Sequence, residues 1–72
     1  METLPTRKRG DPVPLPVGQR LSLQRLMEPE RGWRVAGYTY RRNGEWSGYR
    51  LAHADGSTTT ASRFEALNLE DP

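Results

Sequence analysis

The side chains able to do chemistry in this sequence are few and largely of one kind. Ten of the eleven basic residues are Arg, Lys8 being the exception. Arg34, Arg41, Arg42 and Arg50 fall in a stretch that also holds Trp33, Tyr38, Tyr40, Trp46 and Tyr49, five of the six aromatic residues. A guanidinium forks onto phosphate oxygens and stacks on rings. Small β-barrels that bind single-stranded nucleic acid combine such cations with rings on which bases stack. That chemistry assigns Arg34, Arg41, Arg42 and Arg50 to phosphate and Trp46, just past the Asn43-Gly44 pair, to a stacked base. The same residues also describe an aromatic core with a solvated rim of Arg, and a GC-rich genome enriches Arg by itself.

Catalysis has less to work with. An enzyme needs a proton-handling or nucleophilic group held in a defined geometry. His53 is the only side chain whose ordinary pKa lies near neutrality. The expected strand pairing sets it between Arg34 and Thr58, with no carboxylate beside it. The acids are scattered over turns and termini, and no Gly-rich phosphate loop opens a helix. With Cys 0 and His 1 there is neither a disulfide framework nor a thiolate or His-rich metal site. The expectation is a non-catalytic binding module with no cofactor and no metal.

The elements that must position these residues form one small domain. Seventy-two residues at 33% hydrophobic content support only a thin core, and self-association is one way such a chain gains stability. No apolar run approaches the roughly 18 residues of a membrane span, and no signal-peptide segment is present. A soluble, cytoplasmic protein is expected, and the Arg bias with no Cys suggests a bacterial source. Formal net charge is only +2, but it is unevenly spread. Residues 31–50 set five Arg against Glu45 alone, whereas residues 51–72 set Arg63 against Asp55, Glu65, Glu70 and Asp71.

Residues 1–17 read as a flexible, basic, Pro-rich tail. Pro5, Pro12, Pro14 and Pro16 each remove a backbone donor and fix φ, so neither helix nor central strand is expected. The prolines are not spaced as a PxxP ligand requires, and Arg9-Gly10-Asp11 is short enough to arise by chance. In residues 18–27, Leu21 and Leu23 alternate as in a strand, while Leu23, Leu26 and Met27 also make a helical stripe. Periodicity leaves both open. Strand is favoured because everything after it is β.

From Trp33 the signals agree. Aromatic and β-branched residues run to Arg42, and Asn43-Gly44 then marks a hairpin. The return strand covers 45–54, Asp55-Gly56 turns again, and Ser57–Ser62 is the next strand. Two-residue loops would pair Tyr38 with Tyr49 and Arg41 with Trp46, then Arg50 with Ala61. Neither resulting face is cleanly apolar, so a curved barrel bulged at Gly37 or Gly48 is expected, the glycines marking bends or close backbone approach. Val35, Tyr38, Tyr49, Leu51, Phe64 and Leu67 are the expected buried set. Ser62-Arg63-Phe64-Glu65 fits a capping box opening a short helical turn. Leu69 then ends the domain in a short strand, and residues 70–72 fray. Thr58, Thr59 and Thr60 leave an uncharged strand that could pair with another chain.

Five short antiparallel strands with a helical turn before the last is the plan of an SH3-like barrel. Gly32-Trp33-x-Val35-x-Gly37-Tyr38, Gly48-Tyr49-x-Leu51, Asp55-Gly56 and Phe64-Glu65-x-Leu67 resemble the rhythm of that class over residues 18–69. Within it the chain is similar to the plasmid-borne, trimethoprim-insensitive (type II) dihydrofolate reductases. They too have a Gly-aromatic second strand, a Gly-Tyr third strand and a Gly-Ser start to the fourth. That resemblance implies a tailed barrel assembling around a central pore, with catalysis from a Val-Gln-Ile-Tyr motif on the fourth strand and a nearby Lys. This sequence has Ser57-Thr58-Thr59-Thr60-Ala61 there, and its only Lys is Lys8. The leading expectation is therefore contact with nucleic acid or a nucleoprotein. The alternative is a protein-interaction, inhibitor or accessory module using the Thr-rich edge, or a homo-oligomer. A diverged reductase-like oligomer is third.

Overall fold

The computed structural model describes residues 3–24, 28–65 and 67–70. Five strands, β1 (Arg20–Leu23), β2 (Glu30–Tyr40), β3 (Trp46–His53), β4 (Thr58–Ser62) and β5 (Leu67–Leu69), form one antiparallel sheet in the order β4-β3-β2-β1-β5. The sheet is open, with β4 and β5 as its edges. Residues 20–23 are strand, so the alternation of Leu21 and Leu23 prevails. Residues 25–27, including Leu26 and Met27, lie outside the described residues.

Both hairpins turn where Asn-Gly and Asp-Gly stand, but each loop has one residue more than expected. Arg41 N–H donates to the Glu45 carbonyl at 2.7 Å, and His53 N–H donates to that of Ser57 at 2.8 Å. Residues 42–44 and 54–56 are thus the loops. Only Gly44 and Gly56 have positive φ there, 87° and 94°. A tight two-residue turn needs two left-handed residues, and Asn43 and Asp55 do not supply the second. The chain instead makes the three-residue loop that ends in a left-handed Gly. Asn43 Oδ1 accepts Glu45 N–H at 3.0 Å, and Asp55 Oδ1 accepts Ser57 N–H at 2.8 Å. Each side chain therefore braces its own loop.

The longer loops shift the pairing, and two bulges redirect it. Tyr40 pairs with Trp46, then Thr39 with Gly48, leaving Ser47 as the extra residue on β3. Gly37, Tyr38 and Thr39 meet Arg50, Tyr49 and Gly48 as expected. Ala36 is then extra on β2, so Val35 meets Leu51 and Trp33 meets His53. The bulges immediately precede Gly48 and Gly37, the positions where the mixed faces demanded them. Each bulge exchanges inward for outward. Trp33 and Val35 before Ala36, and Tyr38 after it, consequently all point into one core.

That core comprises Leu21, Leu23, Trp33, Val35, Tyr38, Trp46, Tyr49, Leu51 and Ala61, with Leu15 and Leu67 packed against it. Phe64 is a correction, being 65% exposed. The expected helical turn is another, since no helix occurs among the described residues. Glu65 N–H donates to the Ser62 backbone carbonyl at 3.0 Å, while Ser62 Oγ accepts Phe64 N–H at 3.2 Å. This is a β-turn with a side-chain brace. Only four positions separate β4 from β5, and that turn directs Phe64 away from the core.

Residues 3–17 contain no helix or strand, as the prolines dictate, and they lie against the sheet. Pro5 and Pro14 are buried. Tyr38 hydroxyl donates to the Leu15 carbonyl at 2.7 Å, and Leu15 N–H donates to the Tyr49 hydroxyl at 3.0 Å. Further toward the N-terminus, Lys8 pairs with Glu45, and Asp11 Oδ1 lies 3.4 Å from Arg63 Nε. Pro5, Pro14 and Leu15 thus provide an apolar surface that their lack of periodicity conceals.

Candidate functional site

The outer face of the sheet gathers residues from four strands. Arg20 on β1 stands directly opposite Arg34 on β2, Arg34 opposite Ala52 on β3, and Ala52 opposite Thr58 on β4. Arg50, two residues from Ala52, shares its face and meets Thr60. Arg20, Arg34, Arg50, Thr58 and Thr60 are all exposed. The inward partners are Val35, Leu51 and Tyr49, whose burial forces the alternate residues outward. Arg34 and Arg50, expected to hold phosphate, and Thr58 and Thr60, expected to form a partner edge, therefore belong to one surface. Thr59 points the other way, opposite Leu51, and is half-buried.

Arg20 is the member of this surface that the sequence alone did not single out. Its position depends on which strand β1 pairs with and in what register, and no local signal carries that information. Like charges directly opposite on neighbouring strands are destabilising. No ion pair among the described residues neutralises either Arg20 or Arg34. They border a cleft of about 260 Å³ lined also by Gly18, Gly32, Trp33 and Ala54. Glu70 reaches toward the same region, its Oε1 3.5 Å from Gly32 N. A second depression of about 310 Å³ lies over Ala36, Arg50, Leu51 and Thr58–Thr60.

Arg41 and Arg42 are exposed at the β2–β3 hairpin end, separate from this face. Arg41 is 4.0 Å from Glu45, whose carboxyl is held below the usual range by its hydrogen bond from Lys8 and by that residue's charge. Trp46 is not a stacking platform: it is 3% exposed. The Ser47 bulge turns its ring inward, edge-on to Tyr49 at 5.4 Å between centroids. At that hairpin end the accessible ring is Tyr40, 51% exposed.

His53 stands opposite Trp33 rather than Arg34, and a carboxylate does lie beside it. The longer loop folds Asp55 back so that Oδ1 is 3.1 Å from His53 Nδ1. Nδ1 also accepts Asp55 N–H at 3.1 Å, and Nε2 lies 2.8 Å from the Arg31 carbonyl. The imidazole packs edge-on to Trp33 at 5.0 Å and fastens one end of β2 to the second hairpin. The Asp55 carboxyl is held down chiefly by its hydrogen bonds from Ser57, with a smaller contribution from His53. Among the described residues no group of three or more His, Cys, Asp and Glu side chains converges as metal ligands would. No described helix is long and apolar enough to cross a membrane.

No protein-family model, curated protein or solved structure matches this chain.

Proposed function

We propose that this protein binds nucleic acid through the arginine face of its sheet. The observation that carries the reading is the Arg20–Arg34 pair: two guanidinium groups on facing positions, exposed and with no ion-pair partner among the described residues. A phosphodiester between them would convert a mutual repulsion into two charge-assisted contacts. Arg50 extends the positive track along β3. Thr58 and Thr60 add hydroxyls able to donate to phosphate or sugar oxygens. Arg41 and Arg42 provide a second contact at the hairpin end, where Tyr40 replaces Trp46 as the ring available to a base. The same reading takes the bent five-stranded sheet as an SH3-like barrel.

The test is titration of single-stranded oligonucleotides with wild type, Arg20→Ala/Arg34→Ala and Tyr40→Ala at two salt concentrations. Loss of two phosphate contacts should reduce the salt slope of log affinity by about 1.4 for a single strand. Loss of a stacking ring should cost about 1–3 kcal/mol with the slope unchanged. Absence of wild-type binding at low salt, or unchanged slopes, refutes the reading.

One observation favours a second reading, a protein-interaction module. The edge strand β4, Thr58-Thr59-Thr60-Ala61-Ser62, has no charge and no Pro. Native edges are commonly protected by such residues. Thr60→Pro would remove a backbone donor from that edge and abolish strand pairing with a partner while leaving the arginines in place.

A further inference from the structure

Residues 8–16 are attached to the sheet as a ligand would be. N-terminal to Gly18 the contacts described above come from side chains: Tyr38 and Tyr49 to the Leu15 backbone, Lys8 to Glu45, and Asp11 to Arg63. The segment also keeps its own shape. Lys8 N–H donates to Asp11 Oδ2 at 3.0 Å, and Asp11 N–H returns to the Lys8 carbonyl at 3.0 Å. Tyr38 and Tyr49 face each other across β2 and β3, and between them their hydroxyls satisfy both backbone groups of Leu15. Arg63 is prepared for an acid four positions earlier. Its side chain is 12% exposed, one nitrogen donates to the Trp46 carbonyl, and Nε has no hydrogen-bond partner among the described residues. The sheet thus contains a built site for an extended segment with an apolar residue and an upstream carboxylate.

We propose that this site exchanges its occupant, accepting residues 8–16 of a second copy of this chain in place of its own. The complementarity that the structure displays is to that segment, so the contacts made in exchange equal those made within one copy. The balance between the two arrangements then rests on the connection and on concentration. The connection is a tight turn over Pro16–Gln19, closed by Gln19 N–H to the Pro16 carbonyl at 3.1 Å. Gly18 within it has φ of 94°, and nothing lies within 4 Å of where its Cβ would stand. In an exchanged pair this turn opens, and residue 18 need not be left-handed. A side chain at position 18 therefore penalises the closed monomer and spares the pair.

The test compares full-length wild type and Gly18→Val by analytical ultracentrifugation from micromolar to millimolar protein. Short flexible connections give effective concentrations of about millimolar, so the wild type should begin to pair only near that range. The left-handed penalty, about 1–2 kcal/mol, should strengthen pairing of Gly18→Val by roughly tenfold or more. If that variant does not fold, Gly18→Ala and the wild type at millimolar concentration carry the comparison. Equal mixtures of isotope-labelled and unlabelled copies then locate Leu15. Intermolecular NOEs from Leu15 to the Tyr38 and Tyr49 rings are the expected result. A chain that stays monomeric throughout overturns the proposal, and so does a pair in which those NOEs remain within one copy, as pairing through β4 would give.

Discussion

The indole N–H of Trp46 donates to the carbonyl of Gly48, two residues along the same strand, at 2.7 Å. Ser47, the extra residue of the bulge, lies between them. Its displacement turns the Trp46 ring inward and brings the Gly48 carbonyl within reach, so the buried N–H is satisfied. Trp46→Ala is expected to lose about 3–5 kcal/mol in urea unfolding, because a packed ring and its hydrogen bond disappear together. A loss below about 1 kcal/mol would place Trp46 on the surface.

Gly48 and Gly44 should respond to substitution for different reasons. A Cβ on Gly48 would stand 2.0 Å from the Ala61 carbonyl oxygen on the neighbouring strand β4. Gly48→Ala should cost about 1–3 kcal/mol by forcing those strands apart. Nothing lies near a Cβ on Gly44, but its φ is 87°. Gly44→Val should cost at least about 1 kcal/mol through backbone strain alone. Chemical shifts of β4 should move in the first variant and remain in place in the second.

Tyr49 should make the protein sensitive to alkali. Burial raises its phenol pKa above the ordinary value, only partly opposed by the hydrogen bond from Leu15. The protonated phenol is favoured by folding, so its contribution is complete below the unfolded pKa of about 10 and is lost as pH rises through the folded value. Thermal unfolding monitored from pH 9 upward should show a falling Tm, and Tyr49→Phe should flatten that fall.

Acid should act on the two hairpin loops. Glu45 is lowered chiefly by the Lys8 hydrogen bond and Asp55 chiefly by those from Ser57. Folding favours both carboxylates, so their contribution is present above the unfolded pKa values of about 4 and disappears as pH falls through the folded ones. Asp55 is exposed and Glu45 lies half-buried at the sheet's rim, and both ion pairs meet solvent, which keeps the contribution small and salt-sensitive. NMR titration should place both below the usual range, and Lys8→Ala should return Glu45 upward while leaving Asp55 unchanged.

Removing the contacts of the N-terminal segment should lower stability even though that segment has no regular structure. Tyr38→Phe deletes the hydroxyl bound to the Leu15 carbonyl and should cost about 0.5–1.5 kcal/mol. For a domain of this size that corresponds to a fall in Tm of several degrees. An unchanged Tm would show that the segment is not held in solution.

An all-β chain that turns at Gly44 and Gly56 and bends near Gly37 or Gly48 is legible in the residues alone. These are local matters: only Gly accepts left-handed φ cheaply, and an apolar pattern that changes parity within a strand requires an extra residue. Burial of Val35, Tyr38, Tyr49 and Leu51 was legible for the same reason. Other features depend on how the strands meet. The extra residue Ala36 moved His53 from Arg34 to Trp33, and the additional residue in the second loop moved Tyr49 from Ser62 to Ala61. The bulge at Ser47 took Trp46 from the surface to the core. The pairing of β1 with β2 brought Arg20, on a separate strand from the other arginines of that face, directly opposite Arg34. Parity in a strand has period two, so a one-residue slip reverses which side chains meet solvent. The slip is set by loop length and by the two bulges, which depend on how neighbouring strands pair across the open sheet.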